Sequence, residues 1–146
     1  MNTANFLSIP ASMFPDQEIV VSGDQRFTYA EMLSRVRRLS SALRDRGVGR
    51  ETRVAVLATN SHRYLECYYA AAAAGATFVP LNYRAKLNEL EHMIGRAEPR
   101  ILFVSERYAP LLDELAGRLP AGMARVVLDG PENGESSYED LLASGI

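Results

Sequence analysis

The feature that most constrains this chain is a regular alternation of short buried-strand patterns with helical patterns between residues 53 and 128. Short apolar runs rich in β-branched residues are typical of strands in a covered sheet. The predicted strands are 53–58, 77–81, 101–104 and 125–128, and the predicted helices are about 61–74, 86–95 and 107–118. Because this order is typical of βαβ units, we predict an α/β fold with three layers, in which a mostly parallel sheet carries helices on both faces.

Two further elements are predicted ahead of this alternation. Residues 19–28 predict a peripheral β-hairpin, because Gly23 followed by Asp24 favours a type II′ turn. Thr28 and Glu31 have the spacing of a capping box, which predicts that the first long helix begins there. That helix is expected to run to about residue 46, where Gly47 suits the left-handed position after a helix end.

Helical spacing also predicts which side chains are buried and which face solvent. In the first long helix, the side chains expected to lie mostly toward solvent are Arg35, Arg37 and Arg38. In the 61–74 helix, the expected buried side chains are Leu65, Tyr69, Ala72 and Ala73. Acidic residues occur as the neighbouring pairs Asp113–Glu114 and Glu139–Asp140. Neighbours diverge by about 100° around a helix, so solvated faces explain these pairs better than an acid–base pair does. Ser136 with Glu139 predicts the cap of a last helix.

Composition and single residues exclude several classes of function. A net charge of −2 provides no basic surface for nucleic acid, and no apolar stretch reaches the roughly 20 residues that a membrane span needs. Cys67, the one cysteine, lies in an apolar helical pattern, so it is interpreted as a buried hydrophobe rather than a nucleophile. His62 and His92 have no nucleophile or ligand at local spacing, so no metal site and no catalytic residue is predicted. A cytoplasmic location is expected.

Arg84 is the residue for which a ligand role competes with a structural one. It follows the predicted strand 77–81 and precedes a predicted helix, and ligands of open α/β sheets collect beyond the carboxyl ends of the strands. Lys86 adds a second positive charge. A solvated surface arginine is the alternative, and these residues leave both interpretations open.

Several segments, taken in order, resemble the N-terminal part of the AMP-forming acyl-CoA synthetases, which are adenylate-forming enzymes. The segments are Phe27-Thr28-Tyr29-Ala30-Glu31, Arg53-Val54-Ala55-Val56 with Asn60-Ser61, Ala74-Gly75-Ala76 before Val79-Pro80-Leu81-Asn82, and Arg100-Ile101-Leu102-Phe103-Val104. The resemblance covers nearly the whole chain. It departs from the family pattern at Tyr83, where proline is frequent, and at Glu51-Thr52-Arg53, where Gly-Asp-Arg is more usual.

The resemblance implies an ATP-dependent ligase that converts a carboxylic acid to an acyl-adenylate and then to an acyl-CoA thioester. ATP, Mg²⁺ and coenzyme A are the implied cofactors of the complete enzyme, with none bound tightly by this chain alone. Arg84 matches an arginine that some members place near the phosphates of coenzyme A. The family's phosphate loop and C-terminal lysine have no counterpart here, so residues 1–146 are expected to form the N-terminal subdomain of the AMP-binding domain and to be inactive alone.

The expected partners are the remainder of the synthetase and a small carboxylic acid, and a homodimer is possible. Two alternatives stay open at this point. One is a free-standing α/β interaction module that catalyses nothing. The other is part of an adenylation domain that loads a carrier protein instead of coenzyme A.

Overall fold

The structure, a computed structural model, describes residues 2–130 and 137–145. Its strands are β1 (Glu18–Ser22), β2 (Gln25–Thr28), β3 (Arg53–Leu57), β4 (Thr77–Pro80), β5 (Ile101–Val104) and β6 (Ala124–Val127). Its α-helices are α1 (Asn5–Met13), α2 (Tyr29–Asp45), α3 (His62–Ala74), α4 (Leu87–Ala97), α5 (Ala109–Glu114) and α6 (Ser137–Ala143). A 3₁₀ turn, Glu106–Tyr108, precedes α5.

The central sheet is parallel throughout and has the strand order β4-β3-β5-β6. β3 pairs with β4 on one side and with β5 on the other, so β3 and β5 are the two middle strands. All four residues of β5 are buried, as are the last four of β3. The predicted parallel α/β sheet is therefore confirmed, with strand bounds that agree to within one residue.

One apolar core lies on each face of the sheet, between the sheet and the helices that cover that face. Side chains of a strand alternate between the faces, and on one face Val54, Val56 and Phe103 pack with helices α2, α3 and α6. On the other face Ala55 and Leu102 pack with α4 and α5. This arrangement gives the three layers that the sequence predicted.

The local signals before the sheet are also confirmed. β1 and β2 form a separate antiparallel sheet, and Gly23 at their turn has φ +59°. The Thr28 hydroxyl accepts from the Glu31 amide at 3.2 Å, and the Glu31 carboxylate accepts from the Thr28 amide at 2.8 Å. Gly47, just past α2, has φ +79°. Each of these features depends on residues close in sequence, which is why the pattern predicts them.

Two helices differ from the predicted bounds, and one was not predicted. α1 packs Leu7 and Ala11 against α2, and it carries Pro10 within its length. α4 continues through Gly95 to Ala97, since Glu98 takes up the left-handed conformation that ends it. α5 ends at Glu114, earlier than the sequence predicted.

The buried face of α3 also differs from the predicted one. Its buried residues are His62, Glu66, Cys67, Ala70 and Ala71. The predicted set of Leu65, Tyr69, Ala72 and Ala73 is only partly buried. α3 packs against α2 as well as against the sheet. Its buried face is therefore rotated by about one residue from the predicted face. The proposed Ser136 cap lies outside the described residues. Among the described helices, none is long and apolar enough to span a bilayer.

Candidate functional site

The carboxyl ends of the parallel strands form the candidate binding edge of this fold. From β3 the chain crosses to β4 by way of α3 on one face, whereas from β5 it continues to β6 by way of α5 on the other face. The connections from the neighbouring strands β3 and β5 therefore diverge. Open α/β sheets bind ligands in the crevice outside the carboxyl ends of strands at such a point.

Arg84 lies at this edge, in the loop between β4 and α4. The side-chain oxygen Oδ1 of Asn82 accepts from the Arg84 amide at 3.0 Å, which shapes the loop as an Asx turn. The guanidinium is exposed, and its Cζ atom lies 5.6 Å from the centre of the Tyr83 ring. No carboxylate among residues 2–130 and 137–145 forms an ion pair with Arg84. Its charge is thus available to an anion from solution.

The helix N-terminus beside Arg84 contributes less than the sequence suggested. The Glu89 carboxylate accepts from the Lys86 amide at 2.7 Å, so a negative side chain already occupies the first turn of α4. An occupied helix N-terminus attracts an added anion less strongly. Any binding of an anion at this edge therefore depends on side-chain cations rather than on the helix dipole.

The loops that follow β4 and β5 touch through two tyrosines. The ring centres of Tyr83 and Tyr108 lie 5.9 Å apart with an interplanar angle of 39°. The Cζ atom of Arg107 lies 5.7 Å from the centre of the Tyr108 ring. A guanidinium group therefore lies close to each of the two tyrosine rings. Sequence reasoning named Arg84 and missed this contact, because the two tyrosines are far apart along the chain.

A second polar cluster lies on the face of the sheet that α2, α3 and α6 cover, and it joins these three helices. The fully buried Glu66 accepts from Arg35 Nε at 2.5 Å and from the Tyr138 hydroxyl at 2.5 Å. Glu139 accepts from Arg35 Nη2 at 2.9 Å and from Arg63 Nε at 3.1 Å. The cluster therefore links residues from three helices in one network.

Within this cluster, ion pairing favours the ionised states of Arg35 and Glu139. Burial alone would lower the pKa of Arg35, but its bonds to Glu66 and Glu139 raise that pKa above its ordinary value. Burial would raise the pKa of Glu139, but its bonds to Arg35 and Arg63 lower it. Burial raises the pKa of Tyr138 well above its usual range, and the neighbouring Cys67 and Glu66 raise it further. A saturated ion-pair network of this kind has a structural role.

The cluster corrects two predictions made from helical spacing. Arg35 was expected to lie mostly toward solvent with Arg37 and Arg38, yet it turns inward to Glu66, while the other two arginines remain exposed. Glu139 was expected on a solvated face, yet it is only partly exposed and bonds two arginines. In both cases a partner distant in sequence decides the orientation.

His62 lies at the start of α3 and is buried against the hairpin. Its ring stacks on Phe27 with 4.8 Å between ring centres, and its Nδ1 atom has no hydrogen-bond partner among the described residues. Burial, together with the positive charges of Arg63 and Arg35, lowers the pKa of His62 to about 4. These contacts give His62 a structural role in the packing of α3 against the hairpin.

His62 is expected to make the stability of the chain depend on pH. In the unfolded chain its pKa is about 6.5, so below that pH the unfolded state gains a proton that the folded state takes up only near pH 4. Its contribution to stability is thus complete above pH 6.5 and is lost as the pH falls toward 4. Between about pH 7.5 and about pH 5 the free energy of unfolding should fall by about 2 kcal/mol from this group.

Urea denaturation of the His62→Leu and His92→Leu variants at both pH values checks this prediction. In His62→Leu the fall in the free energy of unfolding that His62 causes between these pH values should be absent. His92→Leu, a matched change at an exposed helix position, should retain that fall. Equal pH dependence in the two variants would contradict the assignment.

Cys67 does not behave as a nucleophile in this structure. It is fully buried, and burial together with the nearby Glu66 raises the pKa of its thiol well above the ordinary value. A thiol that stays protonated and shielded is inert, so the interpretation as a buried hydrophobe is confirmed. Within residues 2–130 and 137–145, no three His, Cys, Asp or Glu side chains gather where they could hold a metal ion.

Comparison with known proteins identifies the family. The sequence profile described as "AMP-binding enzyme" matches residues 8–144, so the chain belongs to the AMP-binding enzyme family. A long-chain-fatty-acid–CoA ligase from Thermus thermophilus is 36% identical over 148 residues, which is 97% of this chain and 27% of the relative. A feruloyl-CoA synthase from Amycolatopsis sp. is 36% identical over 90% of this chain and 28% of the relative. The chain thus spans about a quarter of the length of these relatives.

Solved structures agree with this family. The N-terminal domain of FACL13 from Mycobacterium tuberculosis matches with a TM-score of 0.88 and 25% identity, over 100% of this chain and 37% of that one. A putative long-chain-fatty-acid CoA ligase from Rhodopseudomonas palustris matches with a TM-score of 0.86 and 27% identity, over 97% of this chain and 36% of that one. The resemblance stated from the sequence is confirmed.

Proposed function

We propose that this chain is the N-terminal subdomain, residues 1–146, of an AMP-forming acyl-CoA ligase. In the first half-reaction a carboxylate attacks the α-phosphorus of ATP, so that an acyl-adenylate forms and pyrophosphate leaves. In the second, the thiol of coenzyme A attacks the acyl carbon, so that a thioester forms and AMP leaves. The observation that carries the proposal is the family match over residues 8–144, together with relatives named as CoA ligases and synthases.

Within that enzyme, the chain's own part is to build the sheet edge and to present Arg84. Arg84 is exposed, lies beyond a strand's carboxyl end and has no carboxylate partner among the described residues, so it suits a phosphate of coenzyme A. Mg²⁺ would neutralise phosphate charge during adenylation, and no described residue of this chain is assigned to it. The small carboxylic acid and ATP would be bound with the remainder of the ligase, in the cytoplasm.

The chain alone is expected to show no ATP–pyrophosphate exchange with any carboxylic acid. It contains no Ser/Thr/Gly-rich phosphate loop ending in Pro-Lys, and adenylation requires groups that hold the triphosphate. The assay measures radiolabelled pyrophosphate entering ATP with purified chain and a panel of fatty and aromatic acids. Exchange well above a protein-free blank would overturn this prediction.

The reading frame that encodes the chain provides an independent check of the proposal. A Ser/Thr/Gly-rich loop ending in Pro-Lys, encoded shortly after Ile146, is the expected finding. A frame that encodes no such loop would favour a non-catalytic interaction module instead.

A further inference from the structure

Helix α1 exposes an apolar face that neither the fold nor the proposed function explains. Phe6, Ile9, Met13 and Phe14 are 64%, 55%, 64% and 53% exposed. The first three follow the i, i+3, i+7 spacing, so they lie together on one side of the helix, while another side packs against α2. The exposed side therefore has no apolar partner among the described residues.

This face is unusually apolar for the surface of a protein. Residues 1–15 contain no charged side chain. Seven large apolar or aromatic side chains are exposed in the described part of the chain, and four of them lie within residues 6–14. At these fractions each exposes on the order of 100 Å², so together they form a patch of roughly 400 Å². Patches of this size often have a function.

Two arginines of α2 lie beside α1. Arg37 and Arg38 line a groove of about 350 Å³ together with Ala11, which belongs to α1. Both arginines are exposed, and neither forms an ion pair with any carboxylate in the described ranges 2–130 and 137–145. An apolar face beside unpaired cations is complementary to a bilayer surface, where acyl chains lie beneath negatively charged headgroups.

We propose that α1 and the adjoining arginines form a membrane-contact surface. Phe6, Ile9 and Met13 enter the boundary between headgroups and acyl chains, and Arg37 and Arg38 contact the phosphates of anionic lipids. A second copy of the chain matches this face less well. A two-fold contact through the patch would bury roughly 800 Å² in total, below the roughly 1,000 Å² of a specific interface, and it would bring the arginines of both copies to the same rim.

Flotation of the purified chain with lipid vesicles tests the surface. The vesicles consist of phosphatidylcholine alone or of equal parts of phosphatidylcholine and phosphatidylglycerol. We expect binding to the mixed vesicles to be about tenfold tighter than binding to phosphatidylcholine alone, since each arginine at an anionic surface contributes to affinity. Added salt should weaken the binding to mixed vesicles, because it screens these charges.

A pair of matched variants tests the apolar contact. Ile9→Ser should lower the affinity for mixed vesicles about fivefold or more, whereas Val21→Ser, which removes a similarly exposed β-branched residue from β1, should have little effect. Urea denaturation should show that both variants remain folded. Because Cys67 is fully buried, a polarity-sensitive dye can be placed on Ile9→Cys alone, and its emission should shift to shorter wavelength when vesicles are added.

A second pair of variants tests the charges. The double variant of Arg37→Gln and Arg38→Gln should bind both kinds of vesicle with nearly equal affinity. The double variant of Arg96→Gln and Arg107→Gln makes the same change in net charge at exposed residues outside α1 and α2, and it should retain the preference for phosphatidylglycerol.

Three results would overturn the inference. The first is a chain that binds neither kind of vesicle. The second is a dimer in analytical ultracentrifugation that Ile9→Ser dissociates, because this would assign the face to a second copy. The third is vesicle binding by the chain but not by the ligase that contains this sequence, because the remainder of the ligase would then cover the face. Thioester formation by that ligase is measured without vesicles, so the proposed function stands or falls separately.

Discussion

Replacing Glu66 with alanine is expected to lower the free energy of unfolding by about 3 kcal/mol. The carboxylate is fully buried and accepts from both Arg35 and the Tyr138 hydroxyl. Its removal takes away the described partner of the buried Tyr138 hydroxyl and the closest counter-charge of Arg35. Among the described residues, Glu139 then remains as the carboxylate bonded to Arg35. Breaking one side of a buried pair is costly because the other side stays desolvated.

Urea denaturation of the chain at neutral pH measures this effect. Glu114→Ala removes an exposed glutamate from α5 and should change the free energy of unfolding by less than about 0.5 kcal/mol. In a double-mutant cycle with Arg35→Met, the two substitutions should cost less together than the sum of their separate costs. Additive costs, or a Glu66→Ala variant as stable as the Glu114→Ala control, would show that the network contributes little.

Replacing Arg84 with alanine in the ligase that contains this sequence is expected to raise the Michaelis constant for coenzyme A about ten- to hundredfold. Loss of one charge-assisted phosphate contact costs roughly 1–3 kcal/mol of binding free energy. Because that contact is proposed to be remote from the reacting carboxylate, the rate of ATP–pyrophosphate exchange should stay near that of the unchanged enzyme.

The two half-reactions are measured separately, with exchange for adenylation and thioester formation at varied coenzyme A for transfer. Arg50→Ala serves as the control, since it removes an exposed arginine far from the binding edge. If Arg84→Ala slows exchange and leaves the dependence on coenzyme A untouched, Arg84 is an ordinary surface arginine.

The elements that the sequence predicted well depend on local or strongly periodic signals. The capping box of Thr28 and Glu31 involves residues three apart, and the alternation of strands and helices permits few topologies besides a parallel sheet. The position of Arg84 at the sheet edge follows in the same way from its place after a strand. That part of the candidate site was accessible from sequence.

The parts that the sequence did not predict depend on contacts between distant residues. Glu66 was not among the residues predicted to be buried, and its partners Arg35 and Tyr138 lie 31 and 72 residues away along the chain. The same rotation of α3 removed Ala72 from the predicted core. α1 has no charged residues and contains Pro10, so its helical state depends on packing against α2 rather than on propensity. The contact of Tyr83 with Tyr108 likewise requires the folded loops.

The most direct test of the central claim is product analysis of the ligase that contains this sequence, incubated with ATP, Mg²⁺, coenzyme A and a panel of carboxylic acids. Chromatography would quantify acyl-CoA, AMP, ADP and pyrophosphate over time. The account predicts that each acyl-CoA formed is matched by one AMP and one pyrophosphate, with no ADP. Formation of ADP with the thioester, or the absence of any thioester while ATP is consumed, would contradict it.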